Sequence, residues 1–209
     1  MMVHSRFSKP SSSCHGLVAT ITLLYLITIS VTNTCLAARI EPHVKTNTRF
    51  IKSSCGVTMY PKLCFKTLSV YASSIQTSPT ELANAALTVS LKGAQATSTT
   101  VANLSKGHDL KPSEASAITD CVENMEDSVD ELKQSLVAME DLEGPDFETK
   151  MGNILTWVSA ALTDEDTCMD GVEEAGMKGK IRRTIRGYIV NVAQLTSNAL
   201  ALVNKLSST

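Results

Sequence analysis

A chain of 209 residues has room for one domain with a sizeable hydrophobic core. Its formal net charge is −2, and its bases are few and are not interleaved with aromatic residues. These features exclude the basic class of nucleic-acid-binding proteins. Apolar residues recur at helical rather than alternating spacing, so the predicted fold class is all-α.

The first 37 residues have the pattern of a secretory signal peptide. Arg6 and Lys9 precede an apolar run from Leu17 to Val31, and cleavage is expected after Ala37. The apolar run is short for a membrane span. An uncleaved membrane anchor is the alternative to a signal peptide. Once the signal peptide is cleaved, no membrane association is expected. The exported chain keeps four cysteines, which imply two disulfides in one of three possible pairings: Cys55, Cys64, Cys121 and Cys168.

Residues 38–77 are predicted to form an extension and a small helical hairpin. Ala38 to Asn47 has little apolar periodicity and is interpreted as a flexible lead-in. Pro61 disfavours helix just before it and suits the first position of a new helix. A loop closed by Cys55 and Cys64, with helix on both sides of a tight bend, fits this pattern.

Residues 78–209 are predicted to form a four-helix bundle. The first helix begins with Ser78 as its cap and Pro79 at the first helical position, and runs to about Ser105. Asn103 opens an Asn-Leu-Ser glycosylation sequon near its end. Mostly small side chains make up its predicted core stripe: Leu82, Ala86, Val89, Gly93 and Ala96.

The second helix is predicted from about Pro112 to Glu140, with an apolar stripe on one face and carboxylates on the other. Lys133 is the only base between Asp120 and Glu148, so charge pairing along the helix is scarce. A solvated surface or a binding surface could explain such a face. At 100° per residue the outer face holds Glu123, Asp127, Asp130 and Gln134, with Glu131 at its edge.

The third helix is predicted to follow a turn at Asp141–Asp146 and to run to about Asp170. Its stripe holds Phe147, Met151, Ile154, Val158, Ala161 and Cys168, and Trp157 is expected at the core or its edge. The fourth helix has the most regular stripe, with Ile181, Ile185, Tyr188, Val192, Leu195, Ala199, Leu202 and Leu206. Short connections between four such helices predict up-down-up-down topology. The sequence does not indicate a function for the basic run from Lys178 to Arg186.

A catalytic site is not expected. After signal cleavage the histidines are His43, in the lead-in, and His108, in a loop, and neither belongs to a Glu-x-x-His pair. Two disulfides would leave no free thiol. The sequence therefore predicts no enzyme activity and no metal or other cofactor.

Three groups of residues together resemble a known family, the plant invertase and pectin methylesterase inhibitors, from about Thr48 to the end. They are Cys55-x8-Cys64 with Tyr60-Pro61 inside, Asp120-Cys121-x-Glu123, and Trp157-x-Ser159-Ala160-Ala161-Leu162-Thr163-x3-Thr167-Cys168-x-Asp170. The resemblance implies a four-helix bundle with an N-terminal hairpin and disulfides Cys55–Cys64 and Cys121–Cys168. It also implies an inhibitor that binds one target enzyme molecule and does no chemistry itself.

Two branches of this family differ in target. The invertase-inhibiting branch has Pro-Lys-Phe where this chain has Pro145-Asp146-Phe147, whereas the string from Trp157 to Thr163 resembles the pectin methylesterase inhibitors. The resemblance to that branch implies that bundle helices cover the pectin-binding cleft of a pectin methylesterase. The acidic face of the second helix favours a basic plant isoform as the target. The residues implied in partner contact are Glu123, Asp127, Asp130, Thr167 and Asp170.

The expected location is outside the cell, in the apoplast or cell wall, with the vacuole as the alternative. Inhibition of a cell-wall or vacuolar invertase is the nearest alternative function. A non-inhibitory cell-wall interaction or signalling module is another, and a detached enzyme pro-region acting in trans is a third.

Overall fold

Four long helices and a short N-terminal helical segment account for most of the computed structural model, which describes residues 41–106, 110–142 and 144–208. The signal peptide predicted at residues 1–37 lies outside the described residues. The N-terminal elements are α1 (Glu41–Cys55), α2 (Pro61–Leu68), a 3-10 turn (Ser69–Tyr71) and α3 (Ala72–Ile75). The long helices are α4 (Pro79–Ser105), α5 (Pro112–Met139), α6 (Phe147–Glu174) and α7 (Gly179–Ser207).

The starts of α4 and α5 follow from local capping chemistry, which the sequence predicts for α4. At the start of α4 the Ser78 hydroxyl accepts the Glu81 backbone N–H at 3.2 Å, and Pro79 occupies the first turn. At the start of α5 the carboxylate of Glu114 accepts the Lys111 backbone N–H at 3.0 Å.

The long helices pack as a closed ring in which α4 contacts α5, α5 contacts α6, α6 contacts α7, and α7 contacts α4. Short connections make neighbours antiparallel, so the predicted up-down-up-down bundle is confirmed. The residues from Val44 onward form one compact unit. Its largest fully buried side chains include Leu87, Ile118, Met125, Leu132, Met151, Ile154, Ile185 and Ile189.

Both implied disulfides are present. Cys55 and Cys64 join the end of α1 to α2, with 5.6 Å between their Cα atoms. Cys121 and Cys168 join α5 to α6, with 4.2 Å between their Cα atoms. The second bond therefore fixes the two helices that carry the candidate site.

The predicted flexible lead-in is wrong from residue 41 onward, because α1 already begins at Glu41. A single narrow stripe anchors this helix. Ile51 is fully buried, and the Asn47 side-chain amide donates to the Ala72 carbonyl at 3.0 Å. So narrow a stripe gives little apolar periodicity, which is why the helix was not visible in the sequence pattern.

The hairpin bend is fixed to α7 by one buried amide. The Asn198 side chain accepts the backbone N–H of Tyr60 at 3.0 Å and donates to its carbonyl at 3.1 Å. Two hydrogen bonds from one side chain satisfy both backbone groups of the bend, which holds the hairpin against the bundle.

The predicted stripe of α4 is correct at its start and wrong further along, where Ala96 is exposed. Two buried hydroxyl side chains take its place, since Ser90 donates to Ala86 O at 3.1 Å and Thr97 donates to Gly93 O at 2.8 Å. A hydroxyl bonded within its own helix can be buried at little cost. An apolar-only pattern overlooks such residues.

Gly93 permits a close approach between α4 and α7. A Cβ atom at this position would lie 3.2 Å from Leu195 Cδ1 and 3.3 Å from Val192 Cγ2. The small side chains predicted on the core stripe of α4 therefore include one that lets two helices pack closely.

Two further expectations for α6 and α7 are changed. α6 continues one turn beyond Asp170, to Glu174, because Val172 is fully buried and extends the stripe. Trp157 is half-buried, consistent with the expected core edge. Tyr188, predicted on the core stripe of α7, is 43% exposed, because the neighbouring Ile189 occupies the core position.

Candidate partner-binding surface

The outer face of α5 carries three of the acidic residues implied in partner contact. Glu123, Asp127 and Asp130 are all exposed, opposite the buried stripe that includes Met125 and Leu132. Their position on the solvent face of the helix follows from the helical period that the sequence shows.

Asp130 is set apart from the other two by an ion pair. Its carboxylate accepts from Lys133 Nζ at 2.8 Å, one turn along the same helix. Both residues line a shallow groove between α5 and α4, together with Gln95, Ser98, Thr99, Glu126 and Val129. Asp130 therefore belongs to the side of α5 that borders α4.

On α6, Thr167 and Asp170 are also exposed. The Thr167 hydroxyl donates to the Thr163 carbonyl at 2.8 Å, so its oxygen is left as an acceptor toward solvent. The Cys121–Cys168 disulfide lies next to Thr167 in the chain and holds this part of α6 against α5.

Between the two helices, Glu131 of α5 and Asp164 of α6 form a carboxyl pair. Burial raises the pKa of Glu131 to about 7, and the charge of Asp164, its hydrogen bond with that residue and the charge of Asp127 add to the effect. Burial also raises the pKa of Asp164, with Asp127 adding to it, whereas the hydrogen bond from Glu131 lowers it.

A proton on Glu131 is favoured by these surroundings. Glu131 Oε2 is shielded from solvent and has no hydrogen-bond partner among the described residues. Two adjacent carboxylates cannot both stay ionised at little cost, and a proton on Glu131 donated to Asp164 removes the repulsion. Glu131 was placed by the sequence at the edge of an outward-facing row, but it is half-buried.

Acidic residues implied in partner contact therefore lie on two different sides of α5. Asp127 lies near the carboxyl pair, toward α6, whereas Asp130 borders α4 and is paired with Lys133. Thr167 lies one turn beyond Asp164 on α6, the i+3 spacing that places two side chains on one helix face. Asp127, Asp164 and Thr167 are the residues that the α5–α6 junction brings to one region.

A second acid, Glu165, is fully buried in the bundle core. Its Oε1 accepts hydrogen bonds from the hydroxyls of Ser128 at 3.0 Å and Thr196 at 2.9 Å, which link α6 to α5 and α7. Its Oε2 has no partner among the described residues. Burial raises the pKa of Glu165 to about 8; the two hydroxyls oppose this shift and the nearby Asp166 and Asp164 add to it.

Sequence reasoning missed Asp164 and Glu165, although one signal was available. The predicted stripe of α6 steps from Ala161 to Cys168, a gap of two helical turns, and Glu165 fills the missing position. An acid on a core stripe indicates a buried, hydrogen-bonded carboxyl group. Asp164, one residue before it, then falls at the junction with α5.

The surface has the composition of a binding site. Within the described ranges, no cluster of three or more histidine, cysteine, aspartate or glutamate side chains could hold a metal ion. The carboxylate and threonine oxygens of this surface can accept hydrogen bonds, and the ionised carboxylates attract basic groups on a partner.

Comparison with known proteins identifies the family. A sequence model described as "Plant invertase/pectin methylesterase inhibitor" matches residues 49–202, which include all four disulfide-bonded cysteines. The chain belongs to this family. The match extends from α1 almost to the end of α7 and therefore includes both the hairpin and the bundle.

Relatives within the family are similar over most of their length. The "21 kDa protein" of Daucus carota is 49% identical over 163 residues, which cover 77% of this chain and 84% of that protein. "Pectinesterase inhibitor 9" of Arabidopsis thaliana is 44% identical over 194 residues, covering 90% and 94%. A crystal structure of a mutant pectin methylesterase inhibitor from Arabidopsis has a TM-score of 0.60 at 21% identity, covering 74% of this chain and 95% of that one. This structural similarity shows the family fold.

Among the helices that the structure describes, none has the length and apolar character needed to cross a membrane.

Proposed function

We propose that this protein is an inhibitor of pectin methylesterase and not an enzyme. The observation that carries the proposal is the 44% identity to pectinesterase inhibitor 9, which extends over 90% of the chain. The exposed carboxylates of α5 and α6 support it, because they provide a surface for a protein partner with basic groups.

In this proposal the inhibitor binds one esterase molecule and covers its pectin-binding cleft with α5 and α6. Glu123, Asp127, Asp130, Thr167 and Asp170 form part of the contact. The target is a basic isoform, because basic groups on the enzyme complement the exposed carboxylates of α5 and α6. Such opposite charges speed the encounter and make its rate dependent on salt. The site of action is the apoplast or cell wall, following removal of residues 1–37.

The direct test is a titration of enzyme activity. The oxidised protein from Ala38 to Thr209 is added to a plant pectin methylesterase and, in parallel, to an acid invertase at mildly acidic pH. Loss of esterase activity that saturates near one equivalent, with invertase unaffected, is the expected result. Loss of invertase activity alone would overturn the proposal and direct attention to Pro145-Asp146-Phe147, which spans the end of the turn before α6 and the first residue of α6.

The electrostatic part has its own test. The variant Glu123→Gln/Asp127→Asn/Asp130→Asn should associate with the esterase more slowly, about tenfold at low salt, and depend less on ionic strength. The matched control Glu81→Gln/Glu140→Gln/Glu148→Gln removes the same charge from exposed positions outside this contact set. Equal association rates for the two variants would show that the carboxylates of α5 do not guide the encounter.

Asn103 remains a predicted glycosylation site. It is exposed in the last turns of α4, away from the α5–α6 surface in sequence. A glycan there would be detected as a mass shift that disappears in Asn103→Gln.

A further inference from the structure

The basic run at the start of α7 forms an exposed face that the α5–α6 surface does not include. Lys178, Lys180 and Arg183 are exposed, and none of them has an ion pair among the residues that the structure describes. Their charges are therefore available to a partner.

The other two bases of the run are partly neutralised. Arg182 and Arg186 share the carboxylate of Glu173, in the last turn of α6. Glu174 is the other acid in the last turn of α6, so the five bases of the run outnumber the acids there. The excess is local, since the whole chain carries a net charge of −2.

An exposed aromatic ring lies further along α7, at one edge of the face that carries the bases. Lys180, Arg183, Gly187 and Asn191 recur at three- and four-residue steps, which keep them on one helix face, and Tyr188, three residues before Asn191, lies at the edge of that face. Tyr188 is 43% exposed. Gly187 has nothing within 4 Å of where a Cβ atom would lie, so the surface beside the ring is open.

This combination suits an acidic sugar polymer. The flat face of an aromatic ring can stack against the C–H face of a pyranose, since both are apolar and planar in outline. An exposed amide such as Asn191 can hydrogen-bond sugar hydroxyls, and lysine and arginine bind carboxylates. A partner recognised by charge alone would make no use of the exposed ring.

We propose that this surface, formed by Lys178 just before α7 and by Lys180, Arg183, Tyr188 and Asn191 of α7, binds a uronate polysaccharide. The choice of polymer rests on the proposed function, because hydrolysis of a methyl ester in pectin leaves a carboxylate on the sugar. The face therefore fits the product of the target enzyme and does not fit the neutral, fully esterified polymer. It holds the inhibitor on wall regions where the esterase has already acted.

Binding to immobilised polygalacturonate tests this directly, with the same polymer after full methyl esterification as the neutral comparison. The protein should bind the acidic polymer and not the ester. Lys180→Gln/Arg183→Gln should weaken binding by about tenfold or more, and Tyr188→Ala by about threefold or more. The matched control Lys62→Gln/Lys66→Gln, which removes two exposed charges from α2, should bind as the wild type does.

The contrary outcomes are specific. Equal losses in the two charge variants would show a bulk charge effect and overturn the site. Unchanged binding by Tyr188→Ala, or equally tight binding to polyglutamate, would overturn a saccharide partner. Circular dichroism confirms that each variant is folded.

Loss of polysaccharide binding can be distinguished from loss of esterase inhibition, because the two activities are measured separately in the same variant. Lys180→Gln/Arg183→Gln should inhibit the esterase as the wild type does, because α7 contributes none of the residues placed at the enzyme contact. A protein that binds polygalacturonate without inhibiting the esterase would retain this site and lose the inhibitor assignment.

Discussion

At the scale of single residues, the buried carboxyl of Glu165 has the largest chemical consequence. It lies at the centre of three helices and accepts from two hydroxyls, yet no cation accompanies it among its described contacts. A lone carboxylate is costly to bury, so burial raises the pKa of Glu165 to about 8 and the folded protein keeps this group protonated at lower pH.

Stability should therefore fall as pH rises. Below about pH 4.5, the ordinary value, Glu165 is protonated in both the folded and unfolded states. Between about 4.5 and about 8 only the unfolded state loses the proton, so the free energy of unfolding decreases, by about 1.4 kcal/mol per pH unit for this group. Urea unfolding at several pH values measures the slope.

The variant Glu165→Gln isolates that contribution. It keeps an acceptor for Ser128 and Thr196 but cannot ionise, so its unfolding free energy should vary less with pH. Asp166→Asn removes the adjacent, exposed acid and should keep most of the wild-type slope. A slope in Glu165→Gln as steep as that of the wild type would assign the pH dependence to other carboxyls, Glu131 foremost.

At the scale of elements, the hairpin depends on one side chain of α7. Asn198→Leu keeps a similar volume but leaves the N–H and carbonyl of Tyr60 without their partner. Loss of these bonds should cost about 1–3 kcal/mol. Amide exchange should accelerate in residues 56–64. Asn191→Leu, at an exposed position of α7, should leave exchange there unchanged; equal exchange in both variants would contradict the role of Asn198.

Two helix glycines, Gly93 at the contact between α4 and α7 and Gly152 on the open surface of α6, should respond oppositely to substitution. Gly93→Leu must displace Leu195 and Val192, which should lower stability by about 1–3 kcal/mol or more. Gly152→Ala, in α6 with open space around it, should raise stability by about 0.5–1 kcal/mol because alanine favours helix. Thermal unfolding separates the two, and equal midpoints would argue against close packing at Gly93.

Sequence reasoning succeeded where local chemistry decides the structure. Ser78 and Pro79 set the start of α4, and regular apolar spacing predicted the four long helices. It failed where the deciding partner is distant in the chain. Asn198 lies 138 residues from Tyr60, and the junction of Asp164 with α5 depends on helix packing that no local pattern contains.

The candidate site shows the same division. Helical period alone placed Glu123, Asp127 and Asp130 on the outer face of α5. The ion pair between Asp130 and Lys133, at i+3, could also have been foreseen. The proton shared between two helices could not, because it requires knowing how far each carboxyl is buried.

At the scale of the whole molecule, the two disulfides should contribute unequally. Their cysteines are separated by 47 residues in Cys121–Cys168 and by 9 residues in Cys55–Cys64. In the chain-entropy account, loops of these sizes stabilise by about 4 and about 3 kcal/mol. Chemical denaturation of Cys121→Ala/Cys168→Ala and of Cys55→Ala/Cys64→Ala should follow that order, and a reversed order would show that local packing outweighs loop length.

The position of the Cys121–Cys168 bond also has a consequence for affinity. It joins α5 and α6 beside Glu123 and Thr167, so these side chains cannot drift apart when the bundle fluctuates. A partner that binds through the proposed contact then meets a surface already in its bound arrangement, and little configurational freedom remains to be lost at docking. A folded protein lacking this one covalent link would present the same groups on a looser frame and would hold its target for a shorter time.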